Sequence, residues 1–217
     1  MWFHSSFLTG SCKAGAKVKR QWKLFFRNWP KIFKMNPKER YFLAIIPPSP
    51  IYEQVMDIKT YFKEHYNCKA PLRSPAHITL QMPFLWSPKK ESNLTDELAN
   101  FAQTQQSFNL KLQGFNAFEP RVIYVDVVES QSLRKMQKAL VRQLKSELGI
   151  FNADYKDRGF HPHMTVAFRD LKKPLFYQAW KEFKDKEFDA SFAVNSFWLL
   201  LHDGRQWQPH QEFLFKA

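Results

Sequence analysis

Two short stretches carry side chains suited to phosphate chemistry: His77-Ile78-Thr79-Leu80 and His163-Met164-Thr165-Val166. Each reads His-x-Thr-aliphatic and lies in an apolar run of strand character. Residues two apart on a strand share a face. His77 therefore sits beside Thr79 with Ile78 and Leu80 opposite, and His163 beside Thr165 with Met164 and Val166 opposite. The hydroxyl can donate a hydrogen bond to a phosphoryl oxygen, and the imidazole can move a proton near neutral pH. A single His-x-Thr/Ser match is ordinarily an accident or a strand histidine bonded to its surroundings, and His4-Ser5-Ser6 is read as such. Two copies with matched flanks ask for a joint reason.

That reason is available if both imidazoles face one cleft a phosphate-width apart. One neutral ring then takes a proton from an attacking hydroxyl or water, while the other, protonated, gives one to the departing oxygen. The threonine hydroxyls, with backbone amides, would hold the non-bridging oxygens. This scheme requires neither metal nor cofactor, and neither motif shows a ligand pattern such as His-Glu-x-x-His. A rival metal site built on His161-Pro162-His163 needs further ligands from elsewhere and leaves both threonines unexplained. His163 is the histidine that aligns with His77, so His161 is read as a structural neighbour at the loop-to-strand junction.

The elements that must position these residues follow from the apolar spacing. Tyr41 to Ile46 predicts a strand closed by Pro47-Pro48, and Ser49-Pro50 fits an N-cap with proline at the first helical position. Ile51, Val55, Ile58 and Phe62 recur at helical spacing, which predicts a helix to about Tyr66. A loop leads into the first His-Thr strand, expected to end near Met82-Pro83. A helix over 94–105 and a half-buried strand from Phe108 past Gly114 follow. The order then restarts: a strand over Val122–Val128, a helix over Ser132–Leu148, a loop with Tyr155, Lys156 and Arg158, and the second His-Thr strand. A helix over Leu175–Phe183, one or two strands over Phe188–Leu201 and a last strand over Trp207–Phe215 complete the chain. Equivalent elements lie roughly eighty residues apart, an internal duplication with a repeat boundary near residue 118. The expected fold class is α+β: two lobes related by a pseudo-twofold, whose axis would bring the His-Thr strands face to face.

Composition narrows the partners. At 217 residues, 44% hydrophobic and with 22 phenylalanines, the chain can bury a substantial core. No apolar run approaches the ~18 residues of a membrane span. Two cysteines, Cys12 and Cys68, form no disulfide framework or metal spacing, which points to a reducing compartment and a cytoplasmic location. The net charge of +13 is unevenly spread: residues 1–34 hold eight Lys/Arg and no Asp/Glu, leaving 25 against 20 in the remainder. The mildly basic body suits an anionic ligand. The N-terminal arm interleaves its cations with Trp22, Phe25, Phe26, Trp29 and Phe33. It reads as an arm that touches RNA or an anionic membrane surface, as a mitochondrial presequence, or as translated upstream sequence without a role before a body starting at Met35.

The paired motifs in duplicated halves resemble the two-histidine (2H) phosphoesterase superfamily, and within it the 2′-5′ RNA ligase and RNA 2′,3′-cyclic phosphodiesterase branch. The resemblance runs from about residue 40 to 217, through Arg73–Leu80, Pro120–Val125 and Phe160–Phe168. It implies two lobes, each a small antiparallel sheet backed by helices, with the active site in the groove between. It implies metal-independent opening of RNA or nucleotide 2′,3′-cyclic phosphate ends, or the reverse joining through a 2′-5′ bond. Carried over by motif, His77 and His163 are the catalytic candidates, and Thr79 and Thr165 the phosphate-binding ones. Which histidine is acid and which base stays open. Arg169, Arg121 and Phe84 are further substrate-binding candidates; Arg169 and Arg121 also fit solvated roles, and Phe84, with Trp86, also fits core packing. A non-catalytic RNA-end-binding module and a phosphodiesterase for a small non-RNA cyclic phosphate are the alternative functions.

Overall fold

The structure, a computed structural model, describes residues 38–151 and 159–216. The N-terminal arm and the loop residues Tyr155, Lys156 and Arg158 lie outside the described residues, as does the boundary placed at Met35. Within them the apolar runs become strands and the stripes become helices. The order is β1 (Glu39–Ile45), α1 (Ile51–Tyr66), β2 (Ile78–Trp86), α2 (Glu91–Ala102), β3 (Phe108–Phe118), β4 (Val122–Val127), α3 (Gln131–Leu148) and β5 (His163–Ala167). Then come α4 (Lys173–Phe183), β6 (Asp189–Val194), β7 (Ser196–His202) and β8 (Trp207–Leu214).

Two four-stranded antiparallel sheets result, ordered β2-β1-β7-β8 and β5-β4-β3-β6. In both, the strand of the His-Thr motif is an edge strand paired with the first strand of its own half. The next strand comes from the other half: β7 beside β1, β3 beside β4. Each lobe is thus completed by strands exchanged across the duplication. The run 188–201 divides at Asn195 because its two parts serve different sheets.

The helices follow the same exchange. Helix α1 lies against β5, and α3 lies against β2. One core runs through both lobes, joining Val55 and Phe62 of α1, Leu133 and Leu140 of α3, Ile78 and Leu80 of β2, and Met164 and Val166 of β5. Burying the aliphatic members of each His-Thr motif there turns the histidines and threonines outward. Helix ends are set by local chemistry. Ser130 Oγ accepts from Leu133 N–H at the start of α3, and Gly149 closes it at φ +63°.

Several boundaries differ from the sequence expectations. Ser49 does not cap α1; its hydroxyl donates to Glu53 Oε1 at 2.6 Å, and Pro50 occupies the cap position. Strand β2 continues past Pro83 to Trp86, which an edge strand permits because the missing N–H need not face a partner. Helix α2 spans Glu91–Ala102, and the backbone after it closes into turns, with Thr104 N–H on Phe101 O and Gln105 N–H on Ala102 O.

Candidate functional site

The two motif strands, β2 and β5, lie against each other at the junction of the sheets. His77 stands immediately before β2, and His163 is the first residue of β5. His77, Thr79, His163 and Thr165 are all half-buried, between the fully buried Ile78, Leu80, Met164 and Val166. The alternation follows the two-residue strand period, and burial of one face leaves a single register.

Both imidazoles are oriented in the same way. Nδ1 of His77 lies 2.8 Å from the carbonyl of Pro75, and Nδ1 of His163 lies 2.7 Å from the carbonyl of His161. A carbonyl only accepts, so each Nδ1 carries the hydrogen and each Nε2 is left with its lone pair. Among the described residues neither Nε2 has a hydrogen-bond partner, and neither do the hydroxyls of Thr79 and Thr165. Two imidazoles and two hydroxyls are thereby left with their polar ends free.

A charge on His163 opposes protonation of His77. Burial is the chief cause holding both imidazoles below the usual histidine range. His77 is pulled down to about 3, with the ammonium of Lys59 adding to the effect of burial and the Pro75 carbonyl opposing it. For His163 the His161 carbonyl and the Asp126 carboxylate act against the shift. Asp126 is the cross-strand partner of His163, and its carboxylate accepts from Val127 N–H at 3.0 Å.

Several of these residues escape the sequence reading. Lys59 is one: burial covers Ile51, Val55, Lys59 and Phe62 on α1, so a lysine occupies the stripe where Ile58 was expected. It is 1% exposed, its ammonium is pulled down to about 7, and it donates to Ser74 O at 3.0 Å and Pro75 O at 2.9 Å. The signal was the four-residue step from Val55. Others come from strand pairing. A register shift between Leu112 and Phe115, with Gly114 at φ +67°, sets Asn116 opposite Tyr124 and Phe118 opposite Val122. Phe118 and Tyr124 consequently flank His163, at ring distances of 5.1 and 5.0 Å. On the other sheet Phe42 meets His77 at 5.0 Å and Trp207 at 4.6 Å.

His161 serves structurally through its carbonyl, as expected, and its side chain joins the same cluster. Its Nε2 lies 3.1 Å from Tyr124 Oη and its ring 6.2 Å from that of His163. Among the described residues no group of three or more His, Cys, Asp or Glu side chains is arranged to hold a metal ion. Register shifts along the β1–β2 pairing bring Phe84 opposite Tyr41, and it packs with Trp86 against the main core rather than on the face of His77. Arg121 is exposed in the turn between β3 and β4. Arg169 is exposed just past β5 and takes φ +69°. The next residue, Asp170, accepts from Lys69 N–H, Ala70 N–H and Cys68 Sγ, which ties the end of β5 to the loop ahead of His77.

Comparison with known proteins agrees with this architecture. The family model described as the 2′-5′ RNA ligase superfamily matches residues 47–206. A search of curated proteins finds no match. Among solved structures, Escherichia coli LigT complexed with 3′-AMP has a TM-score of 0.61 at 23% identity, covering 83% of this chain and 100% of that one. TT0787 of Thermus thermophilus also has a TM-score of 0.61, at 17% identity, covering 82% and 98%. A structure described as a phosphoesterase gives 0.59 at 23% identity, covering 83% and 100%. At these identities the likeness concerns the fold. Two antiparallel sheets backed by helices, paired His-x-Thr motifs and a family match over most of the chain place this protein in the 2′-5′ RNA ligase superfamily, among the 2H phosphoesterases.

Proposed function

We propose that the chain is a metal-independent phosphodiesterase or ligase of 2′,3′-cyclic phosphate or 2′-5′-linked RNA ends, with His77 and His163 as its acid–base pair. The observation that carries this reading is the matched orientation of the two imidazoles. Each gives its Nδ1 hydrogen to a carbonyl two residues earlier, leaving Nε2 for the substrate. Opening a cyclic phosphate needs a proton removed from the attacking water and another delivered to the departing ribose oxygen. In-line geometry puts those two oxygens on opposite sides of phosphorus. Joining an RNA end by a 2′-5′ bond is the same ring opening with an RNA 5′-hydroxyl in place of water; the reverse, cleavage of a 2′-5′ bond back to the cyclic phosphate, exchanges the two transfers, so the direction of reaction decides which histidine is acid and which is base.

Both rings are held neutral in the free protein, chiefly by burial. A bound phosphodiester anion supplies the charge that favours protonation of one of them. The proton-carrying form thus arises with the substrate in place. Thr79 and Thr165 donate their hydroxyls to the non-bridging oxygens, where negative charge builds in the transition state.

The test is turnover of a panel of substrates by the full chain in EDTA: nucleoside 2′,3′-cyclic phosphates, 3′,5′-cyclic nucleotides and 2′-5′-linked dinucleotides. Hydrolysis of the 2′,3′-cyclic phosphates, at an undiminished rate in EDTA, is expected. Oligonucleotide binding without turnover would favour an RNA-end-binding module, and turnover confined to another cyclic phosphate would move the substrate class.

A further inference from the structure

We infer that Lys59 is a positioning residue for His77: its buried ammonium fixes the Pro75 carbonyl, and that carbonyl fixes which ring nitrogen of His77 faces the groove. The inference rests on the role proposed for His77 and extends it to a side chain on another element.

Lys59 lies on α1 and is 1% exposed. Its Nζ donates to Ser74 O at 3.0 Å and to Pro75 O at 2.9 Å, and Nδ1 of His77 lies 2.8 Å from that same Pro75 oxygen. A carbonyl has two lone pairs and can accept both donors at once. Burying an ammonium is costly unless it is paired or richly hydrogen-bonded. Among the described residues no carboxylate lies within ion-pair distance of Lys59. An apolar side chain, like Val55 and Phe62 on the same stripe, would meet a need for packing alone.

The other half holds the backbone ahead of its histidine by a different route. Leu133, Gln137 and Leu140 on α3 repeat the burial spacing of Val55, Lys59 and Phe62. There the polar member is a neutral amide, and its Nε2 donates to Leu80 O at 3.1 Å. The backbone ahead of His163 is instead held by Arg134, whose Nη1 reaches Phe160 O at 2.8 Å from the surface, where Glu129 pairs with it. Among the described residues the buried, unpaired cation is found on the His77 side alone. With the Pro75 oxygen held on one lone pair, the other keeps a fixed direction for the Nδ1 hydrogen, and Nε2 stays turned to the groove.

The test compares Lys59→Met, which keeps length and apolar bulk, and Lys59→Gln, which keeps a donor without the charge. Nitrogen-resolved imidazole NMR of the full chain reads the tautomer of His77, and kinetics on cytidine 2′,3′-cyclic phosphate read function. In K59M the single Nδ1–H tautomer of His77 is expected to become a mixture, with the His163 signal unchanged. The kcat is expected to fall about tenfold with KM within about twofold, the pattern of misplacement. K59Q is expected to fall between K59M and the parent chain. A folded variant with the parent's tautomer and kcat overturns the inference, and if K59M does not fold, K59Q is read by the same criterion. The NMR readout needs no turnover. If the parent chain leaves cyclic phosphates intact, the proposed reaction fails, while the tautomer still decides the role of Lys59.

Discussion

On the β2 side, the sheet face that carries Thr79 is apolar: Phe42, Ala44 and Leu200 form a small cluster of their own with Trp198 and Trp207. Arg40 closes its rim, bonded to Nδ1 of His202 at 2.8 Å and lying over Trp207. On the β5 side, the corresponding face carries Asn116, Tyr124, Asp126 and His161, with Phe118 and Val122 as apolar members. The charges behind the two imidazoles are opposite as well, Lys59 near His77 and Asp126 near His163. Duplication kept the parts that touch both histidines alike, a carbonyl on Nδ1 and a threonine two residues on. It let their surroundings diverge. A site with two equal proton carriers needs the substrate to break the tie, whereas unequal environments order the two titrations before anything binds.

That comparison can be broken first at the histidines. His77→Ala and His163→Ala are each expected to lower kcat on a 2′,3′-cyclic phosphate by about a hundredfold or more, the scale of one general acid or base. A large loss at one site with parent activity at the other would mean that only one half performs the chemistry. Next come the hydroxyls. Thr79→Val and Thr165→Val keep shape and burial, and each is expected to cost about tenfold or more in kcat, with a smaller change in KM, if the hydroxyls act on developing charge. An effect on KM alone would assign them to ground-state binding.

A finer test addresses the charges. NMR titration of the free protein should find both imidazoles below the ordinary histidine range, with His77 near 3. Asp126→Asn removes the carboxylate that favours the charged form, so the His163 titration should move further down and that of His77 should stay in place. An upward movement of His163 would contradict the placement of that charge. The smallest effect is on stability. Both folded-state values are depressed, so below the unfolded histidine value near 6.5 the unfolded chain takes up protons that the folded chain does not. Stability is therefore retained above that value and lost as pH falls from about 6.5 toward the folded values. His77→Gln should soften this acid loss by about 2–4 °C in Tm, the shift expected per kcal/mol in a chain of this size.

What could be read from sequence was whatever depends on local period. The alternation of His77-Ile78-Thr79-Leu80 fixes which side chains share a face, and Leu133, Met136, Leu140 and Leu144 fix the buried stripe of α3. The bounds of α1 were legible as well, because Pro50 precedes it and Asn67 ends it in a left-handed turn at φ 51°. What escaped depends on pairing between distant segments. Exchange of β3 and β7 between halves has no local signature. Phe118 reaches His163 only because a bulge at Gly114 resets the face of β3, whereas Phe84 shares the core face of Ile78 and Leu80 by simple alternation, which the two paired register shifts of β1 and β2 leave unchanged. Lys59 was visible as a lysine on an apolar stripe, but its carbonyl partners on Ser74 and Pro75 are a tertiary fact.

The central claim is that the two imidazoles act on one phosphoryl group, and the combined His77→Ala/His163→Ala variant tests it most directly. Its single-turnover rate on a nucleoside 2′,3′-cyclic phosphate is to be set beside those of the two single variants. Groups that serve one transition state are not additive, so the combined variant should be slower than the worse single variant by no more than about threefold. Single variants that each keep roughly half of the parent rate, with activity lost only in the combined variant, would show two independent sites and contradict the account.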